Sequence, residues 1–389
     1  MTFDMDSIPW QTLALPMARA TESLARLDER LSRSPVGEGW IQRMHFHDAA
    51  AALWLEGELV HLEDLVLHDA HMDIRAPTHE LTRAHTVLRA RRQILGARPG
   101  WALSREGLGQ LTRRPGFTAG IERQAPSGAT EAVRSTEAVA AHPPEGRHEA
   151  TDIDTIEAVR DVEPDELDFT DIDAVIDRTT RLLLGETIEP HVSIRPSARD
   201  PLVYDLDWNE DERLAEWQMV VADTDRLPTI LRAAVLLDAW QQIEVLQHAS
   251  WLGPLLVADL MRQTGLNTRH LACLAMGLRI IPREHRRASE RTARLDAFID
   301  AMTRTAELGL KEHDRLAMAR IQLERRLRDR RSNSRLPRLI ELVLARPLVS
   351  TNMVQGELGL SRQGALDLIG ELGLREITGR KRFQAWAVS

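Results

Sequence analysis

The stretch that decides the fold is residues 350–372, which read STNMVQGELGLSRQGALDLIGEL. Two helix-like segments flank Gly359, and glycine suits a tight turn because it takes a positive φ without steric cost. Ser350 or Thr351 can cap the first segment, and Ser361 can cap the second. Apolar residues at i, i+3, i+4 and i+7 predict the buried stripe of the second helix: Ala365, Leu368, Ile369 and Leu372.

The residues on either side complete a recognisable unit. A preceding helix is predicted over 336–346, ended by Pro347. The three helices together match the helix-turn-helix pattern. After them, residues 374–388 form two short extended runs around the turn signal Thr378-Gly379, which predicts a β-hairpin. We therefore expect a winged helix-turn-helix with a small β-hairpin over residues 332–389.

The polar face of the third helix predicts contact with DNA. Its first residues are those that a recognition helix presents to base edges, where Arg362 suits guanine and Gln363 suits adenine. Three consecutive cations at the hairpin tip suit phosphates. The predicted DNA-contacting residues are Ser361, Arg362, Gln363, Asp367, Arg380, Lys381 and Arg382. The alternative is a winged helix that docks to a protein and never touches DNA.

The charge distribution agrees with a nucleic-acid partner at this end. From Glu145 to Asp225 the chain has 24 acidic and 7 basic residues, a balance of −17. From Arg279 to the end it has 23 basic and 14 acidic residues, a balance of +9. The basic end predicts binding to double-stranded DNA, while the acidic middle region is a candidate for docking a basic protein.

Length and composition predict a cytoplasmic protein of two or three domains, because 389 residues exceed one small core. The first ten residues, MTFDMDSIPW, have neither the basic nor the apolar region of a signal peptide, and no run is long enough to cross a membrane. Cys273 is the single cysteine, which excludes an intramolecular disulfide and a thiolate zinc site. It lies in an apolar stretch and is expected in the core.

The fold class predicted for the rest of the chain is mostly α. Residues 1–117 are expected to form an N-terminal helical region and 165–331 a second helical domain. Residues 118–164, rich in Ala, Ser, Thr, Glu and Pro, are expected to be a disordered linker. Helices are predicted at about 11–33, 44–71, 78–96, 104–112, 166–184, 208–223, 227–248, 252–265, 268–279, 284–308 and 311–331.

Three stretches carry a resemblance to Fic-domain proteins with a winged-helix tail. Residues 374–380, LREITGR, resemble that tail, and residues 52–65, ALWLEGELVHLEDL, resemble the inhibitory helix of the family. In the second stretch Glu56 and Gly57 match the family's motif, whereas Ala52 replaces its Ser or Thr. Residues 227–234, LPTILRAA, resemble the helix that enters the active site. The likeness implies a multi-helix Fic-like body.

The same resemblance implies that the transferase chemistry is lost. Residues 243–254, IEVLQHASWLGP, align with the active-site motif of the family. Glu244 stands where the family has the histidine that acts as general base, and the phosphate-binding turn has no matching glycines or arginine. No enzymatic activity and no cofactor are therefore expected. The rival interpretation is a divergent nucleotidyl transferase that moves AMP from ATP with His248 as a relocated base.

The whole arrangement also resembles an uncharacterised alphaproteobacterial family, common on rhizobial plasmids. Its members pair a domain of unknown function with a C-terminal helix-turn-helix. The leading interpretation of the whole chain is a site-specific DNA-binding protein that regulates transcription, with a two-part helical body for dimerisation, as a homodimer, or for effector sensing. A third interpretation is an interaction scaffold or antitoxin-like partner that uses the acidic middle region.

Two further clusters are open to functional interpretation. His68 and His71 are spaced to share a metal with Asp64 or Asp69, but without HExxH or a second cysteine no metal is expected. A carboxylate pair, Glu56 and Glu63, is expected on one face of a helix, solvated or salt-bridged. Four arginines are expected along one helix, facing either phosphates or the acidic middle region: Arg286, Arg287, Arg291 and Arg294.

Overall fold

The structure of the chain, a computed structural model, is mostly helical, as predicted. It describes residues 9–73, 76–112, 208–327, 335–377 and 384–388. The predicted linker at 118–164 and the predicted helix at 166–184 lie outside these residues. None of the described helices is both long and apolar enough to cross a membrane.

The described residues up to 327, which we call the body, form a helical core. Its helices are α1 (Trp10–Ser32), α2 (Gly37–Leu55), α3 (Leu62–Asp69), α4 (His79–Gly96), α5 (Arg105–Thr112), α6 (Glu210–Asp223), α7 (Thr229–Ile243), α8 (Leu252–Gln263), α9 (Leu274–Ile280), α10 (Arg283–Arg286) and α11 (Arg291–Arg325). Helix α11 packs against α1, α7 and α9, and α2 packs against α4 and α9. Helices from both sides of residues 113–207 therefore share one apolar core, which includes Cys273, as predicted.

The two helices expected at 284–308 and 311–331 are largely one, α11, and the predicted break is wrong. Gly309 lies inside this helix rather than at its end. A Cβ at Gly309 would lie 2.6 Å from Leu27 Cδ2 and 3.1 Å from Trp40 Cζ2. The Trp40 indole also donates a hydrogen bond to the Gly309 carbonyl at 3.0 Å. Gly309 therefore allows three helices to pack closely together. It does not end the helix in which it lies.

The single helix expected at 44–71 is instead α2 and α3, separated by a loop. The loop begins at Glu56, and Gly57 has φ +90°, which a helix does not allow. Arg83 of α4 forms ion pairs with both Glu56 and Glu58, which fixes the loop. Glu56 is therefore salt-bridged, but it does not share a helix face with Glu63.

Two other helix boundaries differ from those predicted. Helix α7 ends at Ile243, and Glu244 takes a left-handed conformation with φ +51°. Helix α9 starts at Leu274 rather than 268, since Asp28 Oδ1 accepts the backbone N–H groups of Thr268 (2.9 Å) and Arg269 (3.0 Å). Although burial acts to raise the pKa of Asp28, hydrogen bonds from His270, Arg269 and Thr268 hold it well below its usual range.

The four arginines expected on one helix are divided between different surroundings. Arg286 is the last residue of α10 and Arg287 follows it, whereas Arg291 and Arg294 belong to α11. The last two lie against the fully buried Asp238, with Arg294 Nε at 2.6 Å and Arg291 Nε at 3.7 Å. The non-helical residues 287–290 break the helical period that the sequence interpretation assumed.

Residues 335–388, which we call the reading head, form the predicted winged helix-turn-helix. Its elements are α12 (Leu336–Ala345), β1 (Val349–Ser350), α13 (Thr351–Leu358), α14 (Arg362–Leu372), β2 (Arg375–Glu376) and β3 (Ala385–Ala387). The three strands form an antiparallel sheet in the order β1-β3-β2. Trp386 in β3 pairs with Val349 on one side and Glu376 on the other. The sequence predicted the hairpin of β2 and β3 but not β1.

Candidate nucleic-acid interface

The turn between α13 and α14 has the local chemistry predicted for it. Ser350 Oγ accepts the Met353 N–H at 3.2 Å and caps α13. Ser361 Oγ accepts the Gly364 N–H at 3.2 Å and caps α14. Gly359 has φ +61° and ends α13. Each helix thus has a side-chain cap. The chain turns between the two helices at Gly359, because glycine takes a positive φ without strain.

The orientation of α14 follows from its apolar stripe. Ala365, Ile369 and Leu372 are buried, and Leu368 packs against the same core while half-buried. The stripe predicted from the sequence is therefore confirmed. Since one side of the helix is buried, the opposite side faces solvent over its whole length.

The predicted base-contacting residues lie on this exposed side. Ser361, Arg362, Gln363 and Asp367 are all exposed. Gln363 Nε2 donates to Asp367 Oδ1 at 2.8 Å, a contact between neighbours on one helix face. Within the described part of the chain, no carboxylate pairs with the Arg362 guanidinium, so its donors face solvent at the first turn of α14.

The hairpin that carries the predicted phosphate contacts is in place on both sides of its tip. The Ile377 N–H donates to the Ala385 carbonyl at 2.9 Å, and Gln384 Nε2 donates to Glu376 Oε2 at 3.2 Å. Arg380, Lys381 and Arg382 lie outside the described residues. Arg375 of β2 is exposed and adds a cation to the hairpin that the sequence interpretation did not include.

A positioning residue was missed by the sequence interpretation. The Arg335 guanidinium donates from Nη1 to the carbonyls of Leu358 and Gly359, the latter at 2.8 Å. These carbonyls belong to the end of α13 and the turn that precedes α14. No local pattern links Arg335 to a turn 23 positions later. The contact arises only because α12 packs on α13.

The reading head is fixed to the body by a buried arginine of α2. Arg43 is 3% exposed and donates from Nε to the Leu344 carbonyl (3.0 Å) and from Nη2 to the Val343 carbonyl (2.7 Å) and the Arg346 carbonyl. These carbonyls lie at the carboxyl end of α12, which has no partners for them within the helix. Although burial lowers the pKa of Arg43 to about 10, the guanidinium stays charged at neutral pH. It therefore caps α12 from a helix outside the reading head.

An ion cluster reinforces this attachment. Asp69, at the end of α3, accepts both Nη groups of Arg92 and one from Arg346 of the reading head at 3.1 Å. His85 Nε2 lies 3.4 Å from the same carboxylate. Although burial acts to raise the pKa of Asp69, these partners hold it well below its usual range. The carboxylate is thus ionised and ties α3 and α4 to the end of α12.

Helix α11 makes the third part of the attachment. Arg315 donates to the Val388 carbonyl at 2.9 Å, and the same side chain pairs with Glu312 at 2.7 Å. Arg320 pairs with Glu341 of α12 at 2.9 Å. We call the contacts of Arg43, Asp69 and Arg315 with the reading head the seam. The seam attaches the reading head to the body by buried and partly buried polar contacts.

The residues behind the Fic resemblance also lie together. Glu56 Oε1 accepts hydrogen bonds from Ser250 Oγ and from the Trp251 N–H (3.0 Å). These two residues belong to the stretch that the resemblance aligns with the Fic active-site motif. Gly57 follows in an open position with no atom within 4 Å of a Cβ placed on it. Glu244 is exposed.

The histidines considered for a metal site contact carboxylates one at a time. His68 Nδ1 lies 2.8 Å from Asp73 Oδ1, and Asp69 is engaged by the arginines of the seam. Within the described ranges, no group of three potential ligands is close enough to share an ion.

Comparison with known proteins matches two segments of the chain to described families. Residues 336–388 match a family described as a helix-turn-helix DNA-binding domain, and residues 202–328 match a family described as a protein of unknown function (DUF1612). The chain is also 46% identical, over 393 residues and 100% of both chains, to the uncharacterised protein y4cF of Sinorhizobium fredii. The predicted pairing of these two domains is confirmed, and the likeness to Fic-domain proteins stays a prediction. The chain belongs to the family of that Sinorhizobium protein and carries a helix-turn-helix DNA-binding domain at its carboxyl end.

Proposed function

We propose that the protein binds a specific DNA sequence and regulates transcription. The observation that carries the proposal is the exposed first turn of α14, where Ser361, Arg362 and Gln363 face solvent beside a capped turn. A recognition helix lies in the major groove with its N-terminal residues against the base edges. A guanidinium there can donate two hydrogen bonds to guanine O6 and N7, and a carboxamide can pair with adenine.

The hairpin supplies the affinity that does not depend on sequence. In the proposal Arg380, Lys381 and Arg382 contact phosphates, with Arg375 on the adjoining strand. Phosphate contacts release counterions, so each one adds about 0.9 to the slope of log affinity against log salt concentration. Substitutions in the first turn of α14 should therefore change the base preference, whereas substitutions of the hairpin cations should change the salt dependence.

A regulatory role is supported by the seam. A ligand or partner that rearranged α2, α3 or α11 would move the residues that hold α12, and with them the orientation of α14. Such coupling requires only that the effector bind two arrangements of the body with different affinity. The predicted homodimer, the effector and the protein partner of the acidic middle region stay predictions.

The test is a fluorescence-anisotropy titration of the full-length protein on genomic fragments that it selects, repeated over a range of salt concentrations. The triple variant R380A/K381A/R382A should weaken binding to all sequences and reduce the salt slope by up to about three contacts' worth. R362A should relax the preference at one base pair by about 1–3 kcal/mol and leave the slope nearly unchanged.

The matched control removes three body arginines, each of which is paired with an acidic residue four positions earlier in the sequence. These are Arg26, Arg33 and Arg304. The control should bind as the wild type does. If the intact protein binds no duplex at low salt, the proposal is wrong and the alternative of a protein-docking winged helix replaces it.

We also propose that the body has no AMP-transferase activity. Where the Fic family has its general base, Glu244 is exposed at the end of α7 in a left-handed conformation. The Trp251 N–H, in the stretch that would bind phosphates, already donates a hydrogen bond to the carboxylate of Glu56. Incubation of the full-length protein with ATP labelled on its adenine moiety checks this, and covalent label on the protein or on a candidate target would revive the transferase interpretation.

A further inference from the structure

A group of arginines on the body has no acidic partner within the described residues. Arg279, Arg283 and Arg287 are exposed, and they surround the short helix α10. We call these three residues together with Trp54 the body patch. Residues 279–287, RIIPREHRR, contain four arginines and one glutamate. Their positive charge is therefore largely uncompensated locally.

The structure separates this patch from the other arginines of the same stretch. Arg294 donates to Asp238 and to the carbonyls of Ala288 (2.9 Å) and Ser289 (3.0 Å), and Arg291 lies against Asp238 as well. These two cations serve the internal structure of the body. Arg279, Arg283 and Arg287 remain as the outward-facing members.

Two cations of the patch, Arg283 and Arg287, lie close to a further arginine, Arg286. Arg286, which lies among them, donates from Nε to the Ile281 carbonyl at 3.1 Å. Burial and the neighbouring charges of Arg287 and Arg283 lower the pKa of Arg286, and only Glu284 acts against them. Mutual repulsion of this kind is relieved when an anion with several charges lies across the group.

One cation of the patch is held in place by an aromatic ring. The Arg279 guanidinium lies 4.9 Å from the centroid of the Trp54 indole, which is itself 40% exposed. Stacking of this kind restricts the long side chain before any ligand arrives, so less conformational entropy is lost on binding. A guanidinium so placed keeps its N–H edges available for phosphate oxygens.

We propose that the body patch binds the phosphate backbone of duplex DNA beside the site that α14 reads. The inference rests on the proposed function, which already brings a duplex to the protein. Helix α2 connects the two regions, since Arg43 contacts the reading head and Trp54 lies about 16 Å further along the same axis, at 1.5 Å per residue. One turn of duplex spans about 34–36 Å, so flanking DNA is within range. Tethering by the reading head raises the effective concentration of that DNA at the patch.

The test compares two duplexes that share one selected site. The short duplex has about 16 base pairs and the long one about 45, so that only the second offers flanking backbone. The variant is the full-length protein with R279A, R283A and R287A. The matched control is R19A/R89A/R98A, which removes three exposed arginines elsewhere on the body.

On the long duplex the variant should bind more weakly than wild type at low salt, with a slope smaller by about 2.7 if all three contacts are lost. Between 50 and 200 mM salt, the ratio of wild-type to variant affinity should then shrink by about 40-fold. On the short duplex the variant and the wild type should agree, and the control should agree with the wild type on both.

Equal salt slopes for variant and wild type on the long duplex would overturn the inference while leaving the proposed function intact. Tighter DNA binding by the variant would also overturn it, and would assign the patch to an acidic segment of the chain itself. If wild type does not bind even the short duplex, the proposed function is wrong, and the inference that depends on it is wrong as well.

Discussion

The Nε of Arg43 lies 3.0 Å from the carbonyl oxygen of Leu344, a residue 301 positions later in the chain. Arg43 belongs to the body and Leu344 to the helix that begins the reading head. A charged donor here satisfies carbonyls at a helix end that is covered by α2 and therefore has no access to water. The placement of α12, and with it that of α14, thus depends on a residue outside the winged helix-turn-helix.

Replacing Arg43 by methionine should lower the free energy of unfolding by about 2–4 kcal/mol, because methionine is of similar length and leaves the carbonyls at the end of α12 without donors. Urea-induced unfolding of the full-length protein measures this. The control is R30A, which removes an exposed arginine paired with Asp314 and should change stability by less than about 1 kcal/mol. Equal losses in the two variants would contradict the capping role.

Two glycines of the reading head should respond to alanine with opposite signs. Gly359 has φ +61°, and the nearest atom to an added Cβ is Arg335 Nη1 at 4.0 Å, so G359A should cost about 1 kcal/mol through the backbone alone. Gly356 lies within α13 and is exposed with no atom within 4 Å, so G356A should stabilise by about 0.5–1 kcal/mol. Thermal unfolding compares them, and shifts of the same sign would refute this account of the turn.

Substitutions at Asp367 should separate its charge from its hydrogen bond to Gln363. D367N keeps an acceptor for Gln363 Nε2 but removes a negative charge that would face phosphates, so binding should tighten severalfold at low salt with unchanged base preference. D367A should tighten binding similarly while relaxing preference at the base pair that Gln363 reads. Titrations on duplexes with single base changes measure both. An identical base preference in the two variants would show that Asp367 does not orient Gln363.

The stability of the protein should fall as the pH is lowered through the range in which His47 titrates in the unfolded chain. Burial lowers the pKa of His47 to about 4; Glu312 opposes the shift, and Arg43 and Arg315 add to it. Between pH 6.5 and about 4 the unfolded chain binds a proton that the folded chain does not, so the free energy of unfolding falls by up to about 1.4 kcal/mol per pH unit.

Urea midpoints measured from pH 7.5 to pH 4 check the sign of this effect. The variant H47Q, which cannot take up that proton, should show a shallower decline than wild type over the same window. His45 is 2% exposed, and burial together with Arg91 and Arg92 also lowers its pKa, so part of the decline should persist in H47Q. A decline in H47Q as steep as in wild type would mean that His47 does not contribute.

The sequence by itself determined the reading head almost to the residue. Serine caps, a turn glycine and an apolar stripe act over one to seven positions, so their spacing fixes which residues of α14 are buried and which face solvent. The exposed positions of Arg362 and Gln363 follow directly from that period. The mostly helical character of the body has the same local origin.

Only the tertiary structure decided which residues each helix face contacts. A helical period shows that a side is apolar or charged, but the partner of a side chain depends on how distant segments pack. Local spacing therefore placed a break between helices after residue 308, whereas Gly309 lies within α11, packed against Leu27 and Trp40. For the same reason, the seam through Arg43 could not be read from local spacing. Local spacing also could not distinguish Arg294, which forms an ion pair with the buried Asp238, from Arg287, which is exposed.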